Sequence, residues 1–214
     1  MTIIEICGID GSGKTTLIHK LRRKINDATQ FVAYERNFKN KGKRLLEHIA
    51  QSNGHKRAEE YFNVENIEFS NAVDMVQEVN SSFYFLNDNS TQIYFVDKYY
   101  TSWLAEVIVK KVDGVDKISR ILNYLPKPKL SIYLDVTTSD AITRLESRTK
   151  GDQILSTKCP TNQLENLRLA FVESMNLTNL KYKVIDSTEG FEVVYEKALD
   201  YLIEEGVLPC GIKN

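Results

Sequence analysis

Short apolar runs alternate along the chain with longer segments in which apolar residues recur at helical spacing. The apolar runs lie at 3–7, 31–34, 93–96, 130–134 and 182–185. Each run is nearly continuous, which is typical of parallel strands that are covered on both faces. The pattern therefore predicts five buried strands.

The segments between these runs carry the periodicity of amphipathic helices. Leu17, Ile18 and Leu21 share one face of a helix predicted over 15–24. Further helices are predicted around 45–49, 69–80, 101–111, 140–148, 164–175 and 192–203, with Ser139 as the N-cap of the helix at 140–148. Strands that alternate with helices indicate a three-layer α/β fold, in which a five-stranded parallel sheet has helices on both faces. No internal repeat or Pro/Gly-rich linker is present, so we expect one domain over residues 1–214.

Composition and charge narrow the range of partners. The net charge of −1 does not suggest binding to a nucleic-acid polymer or to a membrane surface, so an anion site has to be a local cluster. The three cysteines are far apart and form no Cys-x-x-Cys motif, which favours a reducing compartment. The first residues do not resemble a secretory signal, and no stretch approaches the roughly 18 apolar residues of a membrane span. We expect a cytoplasmic protein.

The first predicted strand leads into a phosphate-binding loop. The stretch GIDGSGKT at 8–15 matches G-x-x-x-x-G-K-[ST] at every fixed position, and a strand precedes it and a helix follows it. Glycines let successive N–H groups turn inward around an anion, and the helix N-terminus adds positive charge. Lys14 would contact the outer phosphates and Thr15 would bind Mg²⁺. The residues predicted to bind ATP here are Gly8, Gly11, Ser12, Gly13, Lys14, Thr15 and Thr16.

The loop motif alone does not select one class of enzyme. GTPases, ATP-driven machines and small-molecule kinases all use it. No N-K-x-D base-reading motif occurs, which argues against a GTPase, and 214 residues are few for an ATP-driven motor.

A second acidic position follows the strand predicted at 93–96. Asp97 would lie at the carboxyl end of that strand, beside the phosphate loop, where ligands bind in open α/β sheets. We predict that Asp97 holds Mg²⁺, directly or through water, and that the neighbouring Lys98 approaches the phosphoryl group during transfer.

Taken in order, these motifs resemble the thymidylate kinase family of nucleoside monophosphate kinases over nearly the whole chain. The resemblance covers the phosphate loop with its acid at Asp10, and the pair Glu35-Arg36 at the end of the second strand. It continues through four further stretches, which are Phe69-Ser70-Asn71, Asp97-Lys98-Tyr99, Leu125-Pro126-Lys127-Pro128 and the helix and lid that carry Arg144 and Arg148.

The resemblance implies a role for each of these residues. ATP would donate a phosphoryl group, with Mg²⁺, to a nucleoside monophosphate. Arg36 would grip the acceptor phosphate, and Asp10 would accept a hydrogen bond from the 3′-hydroxyl of the acceptor sugar and pair with Arg36. Arg144 would pack against the adenine. A lid over about 148–160 would supply Arg148 and Lys150, with Lys158 as a further cation, and the family also commonly forms homodimers.

On the acceptor side, the resemblance implies contacts from Phe69, Asn71, Lys98 and Tyr99, but two departures affect the choice of substrate. Lys98 stands where the family has arginine, and it keeps the charge but loses bidentate geometry. Val73 stands where the family reads the thymine edge with arginine, so a core role for Phe69 and a surface role for Asn71 stay open. We expect phosphorylation of dTMP to dTDP. The alternatives are a kinase for another nucleotide or nucleoside, modified ones included, or a nucleotide-binding regulatory protein with little turnover.

Overall fold

Five parallel strands form the centre of the protein. In the computed structural model, which describes residues 1–36, 42–84, 91–148 and 152–213, they are β1 (Thr2–Cys7), β2 (Val32–Arg36), β3 (Gln92–Asp97), β4 (Leu130–Asp135) and β5 (Tyr182–Asp186). Their order in the sheet is β2-β3-β1-β4-β5, and every pairing is parallel. The predicted five-stranded parallel sheet is therefore confirmed.

The described part of the chain holds eight α-helices. They are α1 (Lys14–Ala28), α2 (Gly42–Ser52), α3 (Val64–Tyr84), α4 (Tyr100–Val109), α5 (Val115–Leu122), α6 (Thr138–Glu146), α7 (Pro160–Leu177) and α8 (Phe191–Glu204). Short 3-10 turns lie at Ala58–Glu60, Gln153–Ser156 and Cys210–Lys213. Within these ranges, no helix is both long and apolar enough to cross a membrane.

Two details of the helices differ from the sequence prediction. The two-turn helix α5 was not predicted, because eight residues are too few for a clear periodicity. The N-cap of α6 is Thr137 and not Ser139, since the Thr137 hydroxyl accepts a hydrogen bond from the Asp140 backbone N–H at 3.2 Å. The backbone of Thr137 is extended, as an N-cap requires, whereas Ser139 already lies inside the helix.

Both faces of the sheet are covered, which explains the continuous apolar runs. Ile4 and Ile6 of β1 belong to the core cluster that also contains the buried residues of α1 and α8. Ile3 points to the opposite face, into the cluster built from α3, α4 and α5. Both neighbours of β1 in the sheet are also fully embedded, so the loop that follows β1 starts from a rigid strand.

One charged residue interrupts the apolar pattern of β1. Glu5 is fully buried and faces the first turn of α4, where its carboxylate accepts hydrogen bonds from the Thr101 N–H (2.9 Å), the Thr101 hydroxyl (2.8 Å) and the Ser131 hydroxyl (3.0 Å). The Ser102 N–H adds a longer contact of 3.4 Å. Since the first N–H groups of a helix have no partner within it, Glu5 caps α4 from the neighbouring strand. The strand and helix are thereby fixed on either side of Asp97 and Lys98.

Candidate active site

Two positions of the phosphate loop require glycine, because other backbone atoms lie close to their Cα atoms. Gly8 has φ +144° and Gly11 has φ +87°. A Cβ at Gly8 would lie 2.6 Å from the Leu134 carbonyl oxygen, and a Cβ at Gly11 would lie 2.6 Å from the Ala141 carbonyl oxygen. The loop is thus pressed against the end of β4 and the start of α6, and only glycine allows that packing.

Lys14 lies along this loop instead of pointing to solvent. It is only 7% exposed, and its ammonium donates hydrogen bonds to the carbonyl oxygens of Gly8 (2.9 Å) and Ile9 (3.0 Å). Gly13, at φ +93°, immediately precedes α1, so the loop has the lysine ammonium against its first residues and the first N–H groups of the helix at its end. The arrangement concentrates positive charge where a polyphosphate would bind.

A cavity of about 260 Å³ opens on the β4–β5 side of the loop. Its lining includes Ser12, Gly13 and Thr16 from the loop and α1, Arg144 from α6, and Phe191 from α8. The guanidinium of Arg144 donates to the Gly11 carbonyl oxygen (3.3 Å) and to the carbonyl oxygen (2.5 Å) and hydroxyl (3.2 Å) of Ser187, a residue that also lines the cavity. Arg144 therefore joins the phosphate loop to the segment after β5, and its planar group forms one wall of this cavity.

The carboxyl end of β3 brings Asp97 and Lys98 to the other side of the loop. Burial raises the pKa of Asp97 against the opposing charges of Lys14 and Lys98. The Asp97 Oδ1 atom is buried and has no hydrogen-bond partner in the described part of the chain. Lys98 has φ +54°, an uncommon conformation for a residue with a side chain. Burial lowers the pKa of Lys98, but Asp10, Glu106 and Asp97 outweigh that effect and leave it raised.

A second, much smaller cavity lies beside Asp97 and Lys98, on the β3–α4 side of the loop. Its lining includes Gly8, Asp10, Lys98, Ser102 and Glu106. Burial raises the pKa of Glu106, while Lys98 and Lys110 oppose the shift. Two carboxylates and one ammonium thus share one concave space next to the phosphate loop.

The expected ion pair between Asp10 and Arg36 is not formed in this structure. Arg36 is exposed at the end of β2, and its guanidinium lies over the Tyr94 ring at 5.9 Å from the centroid. Tyr94 in turn stacks on Tyr34, with ring centroids 5.1 Å apart. Arg36 therefore lies beside the carboxyl end of the sheet, against an aromatic platform. The cation that interacts with Asp10 is Lys98, which lines the same small cavity.

The predicted base-contacting helix presents its residues on different faces. Phe69 is 44% exposed and Val73, four residues on, is 37% exposed, so they form an apolar pair on the surface of α3. Phe69 is thus available for stacking and is not a core aromatic. Asn71 is only 6% exposed, and its amide donates to Glu68 at 3.3 Å, while its Oδ1 has no partner in the described part of the chain. Asn71 is therefore neither a surface residue nor on the same face as Phe69.

The structure corrects the expected substrate contact of Tyr99. Its side chain is 0% exposed and belongs to the core cluster between the sheet and α3, α4 and α5. The phenol donates a hydrogen bond to the Pro126 carbonyl oxygen at 2.8 Å, and burial raises its pKa. A fully buried side chain cannot contact a substrate, so Tyr99 fixes the loop before β4 instead.

Two of the three cations predicted for the lid, Arg148 and Lys158, lie in the described part of the chain. Arg148 is exposed and its guanidinium lies 3.3 Å from the Asp152 carboxylate. Asp152 also raises the pKa of Lys98, so this part of the lid lies within electrostatic reach of the site. Lys150 lies outside the described residues. Lys158, the further candidate, is exposed after the 3-10 turn Gln153–Ser156.

Several residues that build the site were not predicted from the sequence. Glu5 lies against the first turn of α4, Ser102 and Glu106 belong to that helix, and Arg168 of α7 forms a bidentate pair with Asp135 at the end of β4 (2.7 and 2.9 Å). A charge inside an apolar strand is the signal that could have identified Glu5, because an ionised group is rarely buried without specific partners. The other three lie on helices at positions that periodicity alone does not distinguish from surface positions.

Fold and loop together define a P-loop enzyme of the α/β class, with one cavity on each side of the phosphate loop. Comparison with known proteins specifies the family. The thymidylate kinase family profile matches residues 6–198. A curated protein of Sulfolobus acidocaldarius, described as a probable thymidylate kinase, is 25% identical over 214 residues, which cover 96% of this chain and 94% of that protein. The chain belongs to the thymidylate kinase family.

Proposed function

We propose that this chain transfers the γ-phosphoryl group of ATP to a nucleoside monophosphate, with dTMP as the leading acceptor. The observation that carries the proposal is the arrangement around one phosphate loop, with the cavity lined by Arg144 and Phe191 on one side and the polar groups of Asp10 and Lys98 on the other. Because β3 and β4 flank β1 in the sheet, the loop after β1 lies between the two. One loop can thus hold the transferred phosphates while a nucleotide approaches from each side, as transfer between two nucleotides requires.

The larger cavity is suited to the donor. ATP would place its phosphates on the loop N–H groups and on Lys14, and its adenosine against Arg144 and Phe191. The hydrogen bonds of Arg144 to Gly11 and Ser187 hold the guanidinium plane in place before any ligand arrives. A fixed cationic plane beside an aromatic ring favours a flat, electron-rich base.

The residues beside the loop fit a magnesium ion. Asp97 presents a buried carboxylate oxygen that lacks a partner among the described residues, and Thr15 exposes a hydroxyl at the start of α1. Magnesium prefers hard oxygen ligands and commonly takes only one or two from protein, with phosphate oxygens and waters as the rest. When bound, Mg²⁺ would neutralise charge on the donor phosphates. We therefore assign Thr15 and Asp97 to this ion.

The acceptor would approach from the β2–β3 side. Arg36 would bind the acceptor phosphate with its planar fork, and Phe69 would stack on the base from the exposed face of α3. Asp10 would take the 3′-hydroxyl of the sugar, and Lys98 would stabilise negative charge that develops on the phosphoryl group in flight. The buried position of Asn71 argues against the direct base contact that the resemblance implied.

The lid completes the charge balance. Arg148 is exposed and pairs only with Asp152 among the described residues, a weak surface contact that a phosphate could replace. In our proposal Arg148 and Lys150 close over the γ-phosphoryl group, stabilise its charge in the transition state and exclude water that would hydrolyse ATP.

A panel of nucleoside monophosphates tests this function. The rate of ADP release with ATP, Mg²⁺ and each monophosphate would be followed in a coupled assay, with Lys14→Ala as the inactive control. Among the 2′-deoxynucleoside monophosphates, we expect the highest kcat/KM with dTMP. Turnover of no acceptor despite ATP binding would favour a regulatory nucleotide-binding protein.

The exposed, apolar Val73 supports an alternative in which the acceptor is another pyrimidine nucleotide. It offers no hydrogen bond to a base edge, so the contact that would favour thymine over another pyrimidine is absent at this position. A higher kcat/KM for dCMP or dUMP than for dTMP in the same panel would establish that alternative. The homodimer implied by the resemblance stays a prediction, which sedimentation velocity would measure.

A further inference from the structure

The small cavity on the β3–α4 side has room for about 30 Å³, the space of one water molecule or one hydroxyl group. Its polar lining comes from Asp10, Lys98, Ser102 and Glu106, and its apolar floor from Leu167 and Phe171 of α7. The proposed function uses Asp10 and Lys98 but leaves Ser102 and Glu106 without a role.

Two of these polar groups lack a partner. Ser102 is only 4% exposed, and its hydroxyl oxygen is buried without a hydrogen bond in the described part of the chain. Glu106 forms no ion pair or side-chain hydrogen bond with another described residue, although the charges of Lys98 and Lys110 act on it. Buried polar groups are nearly always hydrogen-bonded, so the buried Ser102 hydroxyl without a partner, which lines one cavity with the half-buried Glu106 carboxylate, indicates a ligand group between them.

The charges in the cavity select the kind of group that fits. A carboxylate can only accept hydrogen bonds, an ammonium can only donate them, and a serine hydroxyl can do either. A ligand hydroxyl satisfies all three, because it can donate to Glu106 and use its two lone pairs to accept from Lys98 and Ser102. A phosphate oxygen would be repelled by Asp10 and Glu106, and a methyl group would leave every polar neighbour unpaired.

The position of the cavity points to the acceptor sugar. It shares Gly8 and Asp10 with the phosphate loop and lies across that loop from the cavity assigned to the donor. In the proposed function, Asp10 already accepts a hydrogen bond from the 3′-hydroxyl. The next hydroxyl on a ribose ring is the 2′-hydroxyl, on the adjacent carbon.

We propose that Glu106 and Ser102 form a subsite for the 2′-hydroxyl of the acceptor, so that the chain phosphorylates ribonucleoside monophosphates as well as or better than their 2′-deoxy counterparts. This inference rests on the proposed function and specifies its substrate. A site that hydrogen-bonds a substrate hydroxyl discriminates strongly against the analogue that lacks it, since the buried polar groups are then left unpaired.

The test compares 5-methyluridine 5′-monophosphate with dTMP, which differ only in the 2′-hydroxyl. The wild-type protein should show a kcat/KM for the ribonucleotide at least equal to that for dTMP. Glu106→Ala should lower the ratio of the two values by about tenfold or more, as expected for a hydrogen bond to a charged group. Glu106→Gln, which keeps an acceptor oxygen without the charge, should give an intermediate ratio, and Glu173→Gln on the exposed face of α7 serves as the unchanged control.

Ser102→Ala separates this role from a purely structural one. It removes a buried hydroxyl that has no partner in the described chain, so the variant should be as stable as the wild type or more stable. It should nevertheless lower the preference for the ribonucleotide. Calorimetric titration of each monophosphate into the protein provides the same comparison without turnover.

Two results would overturn the inference and mean that the cavity holds a structural water only. One is a wild-type preference for dTMP by tenfold or more. The other is a ratio of the two kcat/KM values that neither Glu106→Ala nor Ser102→Ala changes. In either case dTMP turnover would leave the proposed kinase activity intact. If neither nucleotide is phosphorylated, the proposed function fails, while tighter binding of the ribonucleotide would still support the subsite and equal binding would refute it.

Discussion

Replacement of Glu5 tests how β1 holds the start of α4. Glu5→Ala would remove the acceptor for the Thr101 N–H, the Thr101 hydroxyl and the Ser131 hydroxyl, which now bond to it at 2.8 to 3.0 Å. All of these donors are buried, since Thr101 and Ser131 are each only 1% exposed. Water therefore has no direct route to them in the variant.

The expected cost follows from these contacts. A buried donor without an acceptor costs about 1–3 kcal/mol, although the two hydroxyls can rotate towards other acceptors and recover part of it. Removal of a buried carboxylate returns some of its desolvation energy. We therefore expect Glu5→Ala to lower the free energy of unfolding by about 3 kcal/mol, or the Tm by about 6–12 °C for a chain of this size. Glu5→Gln keeps one oxygen for the two backbone N–H groups and should cost about 1 kcal/mol.

The pH dependence provides a second measure of Glu5. Burial raises the pKa of its carboxyl above the ordinary value of 4.5, while the hydrogen bonds from Thr101, Ser131 and Ser102 oppose the shift. Between 4.5 and the raised pKa, the folded chain binds more protons at this group than the unfolded chain does. The stability contributed by this group is therefore largest at low pH and is lost as the pH rises through that window.

Urea unfolding of wild type and Glu5→Gln at a series of pH values isolates this effect, because the glutamine does not titrate. The stability of wild type relative to Glu5→Gln should decline as the pH rises above 4.5 and then level off. Activity assays on the same samples should show a lower kcat for Glu5→Ala, with much of it restored in Glu5→Gln. A stable, fully active Glu5→Ala protein would refute the idea that Glu5 positions α4 and the segment with Asp97 and Lys98.

Three further predictions address the phosphate loop and the acceptor helix. Lys14→Ala should abolish turnover yet keep the wild-type circular dichroism spectrum, and a folded variant with near-normal activity would contradict the mechanism. Gly11→Ala should weaken ATP binding much more than Gly13→Ala in a titration, because both have a positive φ but only the Cβ at Gly11 meets backbone, at 2.6 Å from Ala141. Phe69→Ala should raise the KM for the monophosphate about tenfold with little change in the KM for ATP, since one stacked base is worth about 1–3 kcal/mol. Equal effects on the two KM values would place Phe69 outside the acceptor site.

The sheet was accessible to prediction because its signals are local. A buried parallel strand appears as a short continuous apolar run, and all five runs became strands whose ends differ from the predicted ones by at most two residues. The phosphate loop was equally accessible, since its glycines serve a backbone geometry that few other sequences allow. The order of the strands could not be derived from these runs, because it depends on crossovers between distant segments.

The acceptor side was less predictable because its residues are brought together by tertiary packing. Whether Tyr99 and Asn71 face a ligand or the core depends on the rotation of α3 and α4 against the sheet, and both proved to be buried. Glu106 lies two helical turns beyond Lys98 in the sequence, yet the two side chains line one cavity. Only the packing of α4 against the loop places these groups together.

The lysine at position 98 is better understood once its neighbours are considered together. An arginine would offer a planar fork to phosphate, but Lys98 is surrounded by the carboxylates of Asp10, Asp97 and Glu106, which together raise its pKa. A compact ammonium can contact several of these oxygens and a ligand hydroxyl in turn. The substitution at position 98 and the carboxylate at Glu106 are therefore consistent with each other. Together they fit the acceptor site proposed above, in which sugar hydroxyls are bound as well as phosphate.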